Sequence, residues 1–238
     1  MDLYRAVLKT IERERLLERG ARFAVGYSGG VDSSVLLKIL AEINRRENAD
    51  WEITAVHFNH NLREESNRDE EFCRKTAGQL GVAFRTGSFD VRSYCDEKKI
   101  SVETGARMCR FRFFKTLKRE VVLAHHRDDF VETVLFNLIR GTGIKGLIAL
   151  RYRSKVEGVP LIRPMLDVGR EDIVAYAGKN GIPFVDDRTN MDISFSRNRI
   201  RHTVVPRLRE INPGFARHFR NMSRILESGW RIISDGVR

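Results

Sequence analysis

Short apolar runs alternate with amphipathic stretches along the chain as far as Gly141. Four of these runs are rich in valine, phenylalanine and isoleucine, as buried strands are. They span Arg22–Tyr27, Ile53–Phe58, Val82–Phe89 and Val121–Ala124. In the stretches between and after them, apolar residues recur at helical spacing. The helices predicted there span Ser34–Arg45, Arg68–Leu80, Val102–Arg119 and Asp128–Ile139.

Alternating strands and helices are typical of a parallel sheet with helices on both faces. The pattern therefore predicts an α/β fold with a doubly wound, mainly parallel sheet. After Gly141, glycine-rich loops lead to predicted helices near Arg170–Lys179 and over Phe215–Leu226. We expect one large domain over residues 1–205 and a basic helical extension over residues 206–238. That extension is interpreted as the start of a short or truncated C-terminal region.

Composition narrows the class of protein. The chain has 238 residues, of which 42% are hydrophobic, and this is enough to bury a full core. No apolar run approaches the roughly 18 residues of a membrane span, and the start lacks the apolar segment of a signal peptide. Three scattered cysteines form no C-x-x-C pair, which disfavours a disulfide framework or a zinc or iron–sulfur site. We expect a soluble, cytoplasmic protein with reduced thiols and no membrane partner.

The charge distribution points to a polyanionic partner. The formal net charge is +11, and a field of this size attracts nucleic acid. Between Arg188 and Arg238 the chain has eleven arginines, no lysine and four acidic residues. Arginine suits paired contacts with phosphate oxygens better than lysine does. Within this segment Arg197 and Arg201 lie one helical turn apart, which predicts a basic helix face.

A glycine-rich turn joins the first predicted strand to the first predicted helix. It consists of Ser28, Gly29, Gly30, Val31, Asp32 and Ser33. Glycines let backbone N–H groups approach phosphate oxygens, and a helix start adds its positive dipole. A Walker A loop would have lysine after its glycines, whereas this turn has Asp32, which can hold Mg²⁺ against a pyrophosphate. The competing interpretation is an ordinary strand-to-helix turn capped by Ser33.

A second polar cluster follows the fourth predicted strand. His125, Asp129 and Glu132 are three or four residues apart, so we expect them to share a face near the start of a helix. The carboxylates can coordinate Mg²⁺, and His125 can contact phosphate or move a proton. The competing interpretation is a solvated, capped helix whose acidic residues favour the dipole. Because ligands bind at the carboxyl ends of parallel strands, both clusters are predicted to belong to one site.

Two further groups are candidates for ligand contact. Arg107 and Arg110 lie three residues apart on a predicted helix, where they could clamp a phosphate or a substrate. The neighbouring Phe111 and Phe114 are more typical of a core than of base stacking. His57 lies at the end of the second predicted strand, and the competing interpretation there is a loop of hydrogen-bonded histidines.

Taken in order, these motifs resemble the tRNA(Ile)-lysidine synthetases, a family of PP-loop ATP pyrophosphatases. The resemblance runs from Phe23 to about Pro206 and includes, besides the segments above, Asn61-Leu62-Arg63, Arg140–Gly143, Arg163-Pro164, Asp187–Asn190 and Arg197–Arg201. It implies a ligase that joins free L-lysine to C2 of the wobble cytidine in the CAU anticodon of an isoleucine tRNA. The reaction would pass through an adenylated cytidine and convert ATP to AMP and pyrophosphate.

The resemblance also implies roles for the candidate residues. ATP would contact Ser28–Ser33, His57 and Arg107, and Mg²⁺ would be held by Asp32 and Asp129. The tRNA would contact Arg110, Arg197, Asn198 and Arg201. The catalytic residues would be Asp32, Arg107, His125, Asp129 and Glu132, with either Glu132 or His125 accepting a proton from the lysine amine. A homodimer is compatible with this interpretation.

Other functions share some of these features. A tRNA 2-thiolation enzyme would use the same loop to adenylate a base, but the missing C-x-x-C pair disfavours it. A PP-loop enzyme acting on a small carboxylate or amide substrate would not need the basic, arginine-rich end. A tRNA-binding protein without catalysis would have no use for Asp32 and Asp129 together.

Overall fold

A computed structural model describes residues 2–60, 66–185 and 196–236 of the chain. They form two compact units, each assembled from separated stretches. The first, the sheet unit, draws its described residues from Met1–Ala124, Tyr152–Pro164 and Glu171–Asp186. The second, the helical unit, draws them from His125–Arg151, Met165–Arg170 and Asp187–Arg238.

Strands and helices alternate through most of the chain. The strands are β1 (Arg22–Gly26), β2 (Glu52–Asn59), β3 (Ala83–Ser88), β4 (Glu120–Val122), β5 (Arg153–Val156) and β6 (Val159–Ile162). The helices up to β4 are α1 (Leu3–Arg13), α2 (Val31–Arg46), α3 (Ser66–Gln79), α4 (Val91–Lys98) and α5 (Val102–Thr116). Those after β4 are α6 (Arg127–Ile139), α7 (Ile144–Ile148), α8 (Arg170–Lys179), α9 (Ser196–Arg199), a π-helical turn (Ile200–Val204), α10 (Val205–Ile211) and α11 (Phe215–Gly236).

The sheet unit is built on six strands in the order β3-β2-β1-β4-β6-β5. All neighbouring strands are parallel except β5 and β6, which form an antiparallel hairpin. From β1 the chain moves outward to β2 and β3, then returns to β4 on the other side of β1. Right-handed crossovers in opposite directions put helices on opposite faces, so the doubly wound prediction is confirmed. The order reverses between β1 and β4, where such sheets bind ligands beyond the carboxyl ends of their strands.

Apolar side chains of α5 cover part of the sheet. Phe111 and Phe114 stand edge to face, with ring centroids 5.9 Å apart. Both are buried against Ala24, Val56 and Val121 of the strands. The prediction that these two aromatic residues belong to the core is confirmed.

The helical unit has its own core. Phe130 and Val134 of α6 are buried together with Ile200, Val205 and Phe215 from the C-terminal helices. The arginine-rich segment is therefore attached to α6 by apolar contacts and not only by its charge. Among the described residues, no helix is long and apolar enough to cross a membrane.

The first four predicted strands are confirmed with boundaries that shift by one or two residues. The hydrophobic pattern did not indicate the β5–β6 hairpin, because its strands have only four residues each and β6 contains Pro160. A local signal was present in the Glu157-Gly158 turn, where both residues have positive φ, as tight hairpins require. Helix α11 runs ten residues beyond its predicted end. The domain boundary at residue 205 stays a prediction.

Candidate functional site

The loop from Ser28 to Ser33 forms an open cradle in the sheet unit. It connects β1 to α2, whose N-cap is Gly30, a residue without a side chain to cap the first turn. Ser33 turns back instead, donating to the Gly30 carbonyl oxygen at 3.0 Å and lying 3.2 Å from the Ser28 hydroxyl. The interpretation of Ser33 as the helix cap is therefore wrong. The first N–H groups of a helix have no acceptor within it, which makes this helix start suited to binding an anion.

Gly29 gives the cradle its backbone conformation. Its φ of +86° lies in the left-handed region, which favours glycine. A Cβ added there would lie 3.1 Å from Cys73 Sγ in the buried interior. The Gly29 carbonyl oxygen accepts hydrogen bonds from the Ser34 hydroxyl at 3.2 Å and from the Val185 N–H at 2.9 Å. Hydrogen bonds from Ser34 and Val185 thus fix the turn, and a side chain at Gly29 would be strained and tightly packed.

We expect Gly29→Ala to lower the free energy of unfolding by about 1–2 kcal/mol, the usual cost of a side chain in a left-handed conformation. Gly78→Ala is the matched control, since Gly78 lies in α3 with nothing within 4 Å of an added Cβ. That variant should be neutral or stabilising by up to about 1 kcal/mol. Urea unfolding of both variants measures the difference. Equal effects would contradict the conformation assigned to Gly29.

Asp32 is the carboxylate of the loop. It lies half-buried in the first turn of α2, next to Ser33. Magnesium is usually held by one or two carboxylates together with substrate phosphates. A single carboxylate beside a phosphate cradle fits that donor set. Across residues 2–60, 66–185 and 196–236, no group of three or more His, Cys, Asp or Glu side chains is arranged as a metal site.

His57 is the second predicted site residue that the structure brings to the loop. It is buried near the carboxyl end of β2, and its Nδ1 lies 3.0 Å from the carbonyl oxygen of Tyr27. Tyr27 directly precedes Ser28, and its own N–H donates to the Val56 carbonyl oxygen at 2.8 Å. The histidine therefore anchors the start of the phosphate loop to β2.

Three arginines form a positively charged cluster in the sheet unit. Arg107 and Arg110 lie on α5, and the buried Arg163 directly follows β6. Burial, and then the charge of Arg107, lowers the pKa of Arg110 and lowers that of Arg163 to about 10. In the part of the chain that the structure describes, neither Arg107 nor Arg110 forms an ion pair. Guanidinium groups attract phosphate, so the cluster is suited to a polyanion.

The sequence analysis did not propose Arg163 as a site residue. Its guanidinium donates to the Ser154 hydroxyl at 2.8 Å, so β5 and β6 hold it in place. A signal was available, because Arg163 is the first polar residue after an apolar strand of a parallel sheet. That signal depends on recognising β6, which the hydrophobic pattern did not reveal.

The helical unit contains the second polar cluster. Helix α6 begins at Arg127 with His126 as its N-cap, and His126 and Asp129 form a capping box. In it the His126 N–H donates to Asp129 Oδ2 at 3.0 Å. His125 precedes the cap and lies outside the helix, so the prediction that it shares a helix face with Asp129 is wrong. The roles proposed for His125 and Asp129 remain predictions.

Glu132 is tied to the arginine-rich segment. The Arg201 guanidinium donates to both oxygens of the Glu132 carboxylate, at 2.6 Å and 3.0 Å. It also lies 3.4 Å from Asp129 Oδ1. The Glu132 side chain is only 2% exposed, so this pair is a buried one. Arg201, predicted from sequence to contact tRNA, thus links the π-helical turn to both candidate acids of α6.

Asp128 has a similar structural role. It is buried, accepts from the Arg209 guanidinium at 2.6 Å and accepts from the Arg170 N–H at 2.8 Å. The competing interpretation of a helix start with solvated acidic residues therefore does not hold for Asp128, the first acid of α6. The sequence analysis missed Arg209 because its partner is 81 residues away along the chain.

Some predicted residues can be placed only in part. Arg197 and Asn198 lie in α9, and Asn198 is half-buried, but the side chain of Arg197 is outside the described residues. The segments Asn61-Leu62-Arg63 and Asp187–Asn190 are likewise outside them.

Comparison with known proteins identifies the family. Residues 3–208 match the model of the PP-loop domain. The tRNA(Ile)-lysidine synthase of Petrotoga mobilis is 33% identical over 95% of this chain and 73% of its own length. The chain belongs to the PP-loop family of tRNA(Ile)-lysidine synthases. Other lysidine synthases are similar to it at 37% identity in Pseudothermotoga lettingae and 41% in Bacteroides thetaiotaomicron.

The chain spans about half the length of those two lysidine synthases, 56% and 48% respectively.

A solved structure supports the fold. The U34-tRNA thiolase NcsA from Methanococcus maripaludis aligns with 94% of this chain and 77% of its own, with a TM-score of 0.72 and 19% identity. The TM-score shows a shared α/β architecture, and at 19% identity the match carries no information on the reaction.

Proposed function

We propose that this chain catalyses the ATP-dependent ligation of lysine to C2 of the wobble cytidine in the CAU anticodon of an isoleucine tRNA. The observation that carries the proposal is the uncapped start of α2 behind Gly29 and Gly30, in a chain of the lysidine synthase family. This loop is suited to phosphates without the lysine of a Walker A motif. The family resemblance implies that ATP is cleaved between its α- and β-phosphates, with pyrophosphate as the leaving group.

In the first step, O2 of the cytosine attacks the α-phosphorus of ATP, and pyrophosphate leaves. The first-turn N–H groups of α2 hold the phosphates, and the helix dipole stabilises their charge. Asp32 would hold Mg²⁺, and the ion would supply positive charge against the phosphates. Arg107, Arg110 and Arg163 supply fixed positive charge where negative charge increases in the transition state.

In the second step, the ε-amine of lysine attacks C2, and AMP leaves. The amine has a pKa of about 10.4 in water, so it must lose a proton before it can attack. His125 and Glu132 are the candidate proton acceptors. Arg201 orients the Glu132 carboxylate by two hydrogen bonds, and Asp129 lies within reach of the same guanidinium.

The tRNA is proposed to contact the arginine-rich segment. Arg197 and Asn198 are the proposed contacts on α9, and Arg110 of the sheet unit adds another. Arg201 contributes to this contact by holding the same segment in place, since its guanidinium is hydrogen-bonded to Glu132 of α6. Phosphate contacts of this kind make binding depend strongly on salt concentration.

Adenylation can be tested apart from ligation. With lysine withheld, ATP labelled at the α-phosphate should transfer its label to isoleucine tRNA with the CAU anticodon, and pyrophosphate should be released. A tRNA with uridine in place of the wobble cytidine is the control and should stay unlabelled. Equal labelling of the two RNAs, or pyrophosphate release that ignores the RNA, would contradict the proposed first step.

A further inference from the structure

Arg163 lies on the face of the sheet that α5 covers. Leu161 of β6 belongs to the same buried cluster as Phe111 and Phe114 of that helix. The strand geometry continues past the end of β6, since the Arg163 N–H donates to the Tyr152 carbonyl oxygen at 2.9 Å. Side chains two residues apart along a strand point to the same face, so Arg163 follows Leu161 towards α5. Arg163 is only 3% exposed there.

The register of the sheet places Arg163 near the phosphate loop. Val25 of β1 pairs with Val122 of β4, which is next to Ile162 of β6 in the ladder. Arg163 therefore lies in the same row as Gly26, the last residue of β1. Adjacent strands are about 4.8 Å apart, so two strand spacings separate these two backbones by about 10 Å. A long side chain at Arg163 can reach a phosphate bound beside the loop.

Ser154 holds the Arg163 guanidinium in one orientation. Its hydroxyl accepts a hydrogen bond from Arg163 Nη1 at 2.8 Å, and its backbone is paired with Leu161 across the hairpin. The bond fixes a cation in an unfavourable place, because burial and the charge of Arg107 lower the pKa of Arg163 to about 10. The group is still charged at neutral pH. Two like charges brought together destabilise the fold, whereas a phosphate bound beside them would offset that cost.

We propose that Arg163 contacts a phosphate group of a substrate and that Ser154 is the positioning residue that orients it. Arginine presents its donors in a planar fork that matches pairs of phosphate oxygens. The phosphate belongs either to the pyrophosphate part of ATP or to the RNA backbone, and the chemistry of the contact is the same. The inference rests on the proposed function, which supplies both ligands. It goes further by replacing a general positive charge with an oriented contact and by naming the residue that orients it.

Three substitutions separate charge from orientation. Arg163→Lys keeps the charge and removes the planar fork. Ser154→Ala keeps the fork and removes the acceptor that orients it, whereas Ser154→Thr keeps a hydroxyl. Arg153→Lys is the matched control, because Arg153 precedes Ser154 on β5 and is ion-paired with Glu120. Urea unfolding of each variant checks that it is folded.

The test measures equilibrium binding of two ligands to the 238-residue chain. One is inorganic pyrophosphate with Mg²⁺, and the other is isoleucine tRNA without ATP. At least one of them should bind about 10-fold more weakly to Arg163→Lys and about 3-fold more weakly to Ser154→Ala, as the loss of a charged and of a neutral hydrogen bond predicts. Ser154→Thr and Arg153→Lys should stay within about twofold of the unmodified chain. Weaker binding of pyrophosphate alone assigns the phosphate to ATP, and weaker binding of tRNA alone assigns it to the RNA.

Two results would overturn the inference. In the first, both ligands bind to Arg163→Lys and Ser154→Ala as tightly as to the unmodified chain. In the second, Arg153→Lys weakens binding as much as Arg163→Lys does. Weaker binding to Arg163→Lys but not to Ser154→Ala would overturn the role of Ser154. The proposed function survives each of these results, because ATP is still held by the loop. If the unmodified chain binds neither ATP nor tRNA, the proposed function fails together with the inference.

Discussion

Replacing Asp32 by asparagine should reduce pyrophosphate release in the presence of ATP, Mg²⁺ and isoleucine tRNA by about 10²–10³-fold. The substitution keeps the size of the side chain and removes the charge that is proposed to hold Mg²⁺. Asp32 lies in the first turn of α2, directly behind the glycines of the loop. Because the side chain is only half-buried, we expect the free energy of unfolding to change by less than about 1 kcal/mol.

Asp172→Asn is the matched control for this experiment. Asp172 is also a half-buried acid in the first turn of a helix of the sheet unit, α8, so its replacement makes the same change of charge beside a helix dipole. Pyrophosphate release by that variant should stay within about threefold of the unmodified chain. If Asp32→Asn also stays within that range, Asp32 does not hold the metal, and the proposed use of the loop is wrong.

Replacing Arg201 by methionine should lower the free energy of unfolding of the helical unit by about 3 kcal/mol. The change leaves the Glu132 carboxylate buried without its bidentate partner, which is among the costliest changes in a protein interior. Arg199→Met is the control, because Arg199 is exposed and two residues away. It should change the free energy of unfolding by no more than about 0.5 kcal/mol.

The two tryptophans allow the units to be followed separately. Trp51 belongs to the sheet unit and Trp230 to the helical unit, so a Trp51→Phe background leaves Trp230 fluorescence as a reporter of the helical unit. Urea unfolding is then measured for Arg201→Met alone and together with Glu132→Leu. Replacing both partners by apolar groups should recover most of the loss. A small effect of Arg201→Met would contradict the stabilising role assigned to the buried pair.

The sequence predicted strands β1 to β4 and the loop after β1 well because their signals are local. Buried parallel strands are continuous apolar runs, and the loop Ser28–Ser33 combines a strand end, two glycines and a helix start within a few residues. The placement of Phe111 and Phe114 in the core followed from helical spacing in the same way. Each of these predictions needed only neighbouring residues.

Long-range partners could not be predicted in this way. The Glu132–Arg201 pair joins residues 69 apart, and nothing in either local pattern indicates the other.

His125 was misplaced because helical spacing was assumed to begin before the cap at His126, whereas capping geometry starts the helix at Arg127. Arg163 was missed because a short hairpin strand with a proline gives a weak hydrophobic pattern.

Incorporation of labelled lysine tests the central claim most directly. The 238-residue chain is incubated with ATP, Mg²⁺, labelled lysine and bulk tRNA, and the RNA is separated and counted. We expect the label to enter one isoleucine tRNA with the CAU anticodon, with one AMP and one pyrophosphate released for each lysine. If ATP is cleaved in the presence of tRNA but lysine never enters the RNA, the chain uses its phosphate loop for another reaction, and the proposed ligation is wrong.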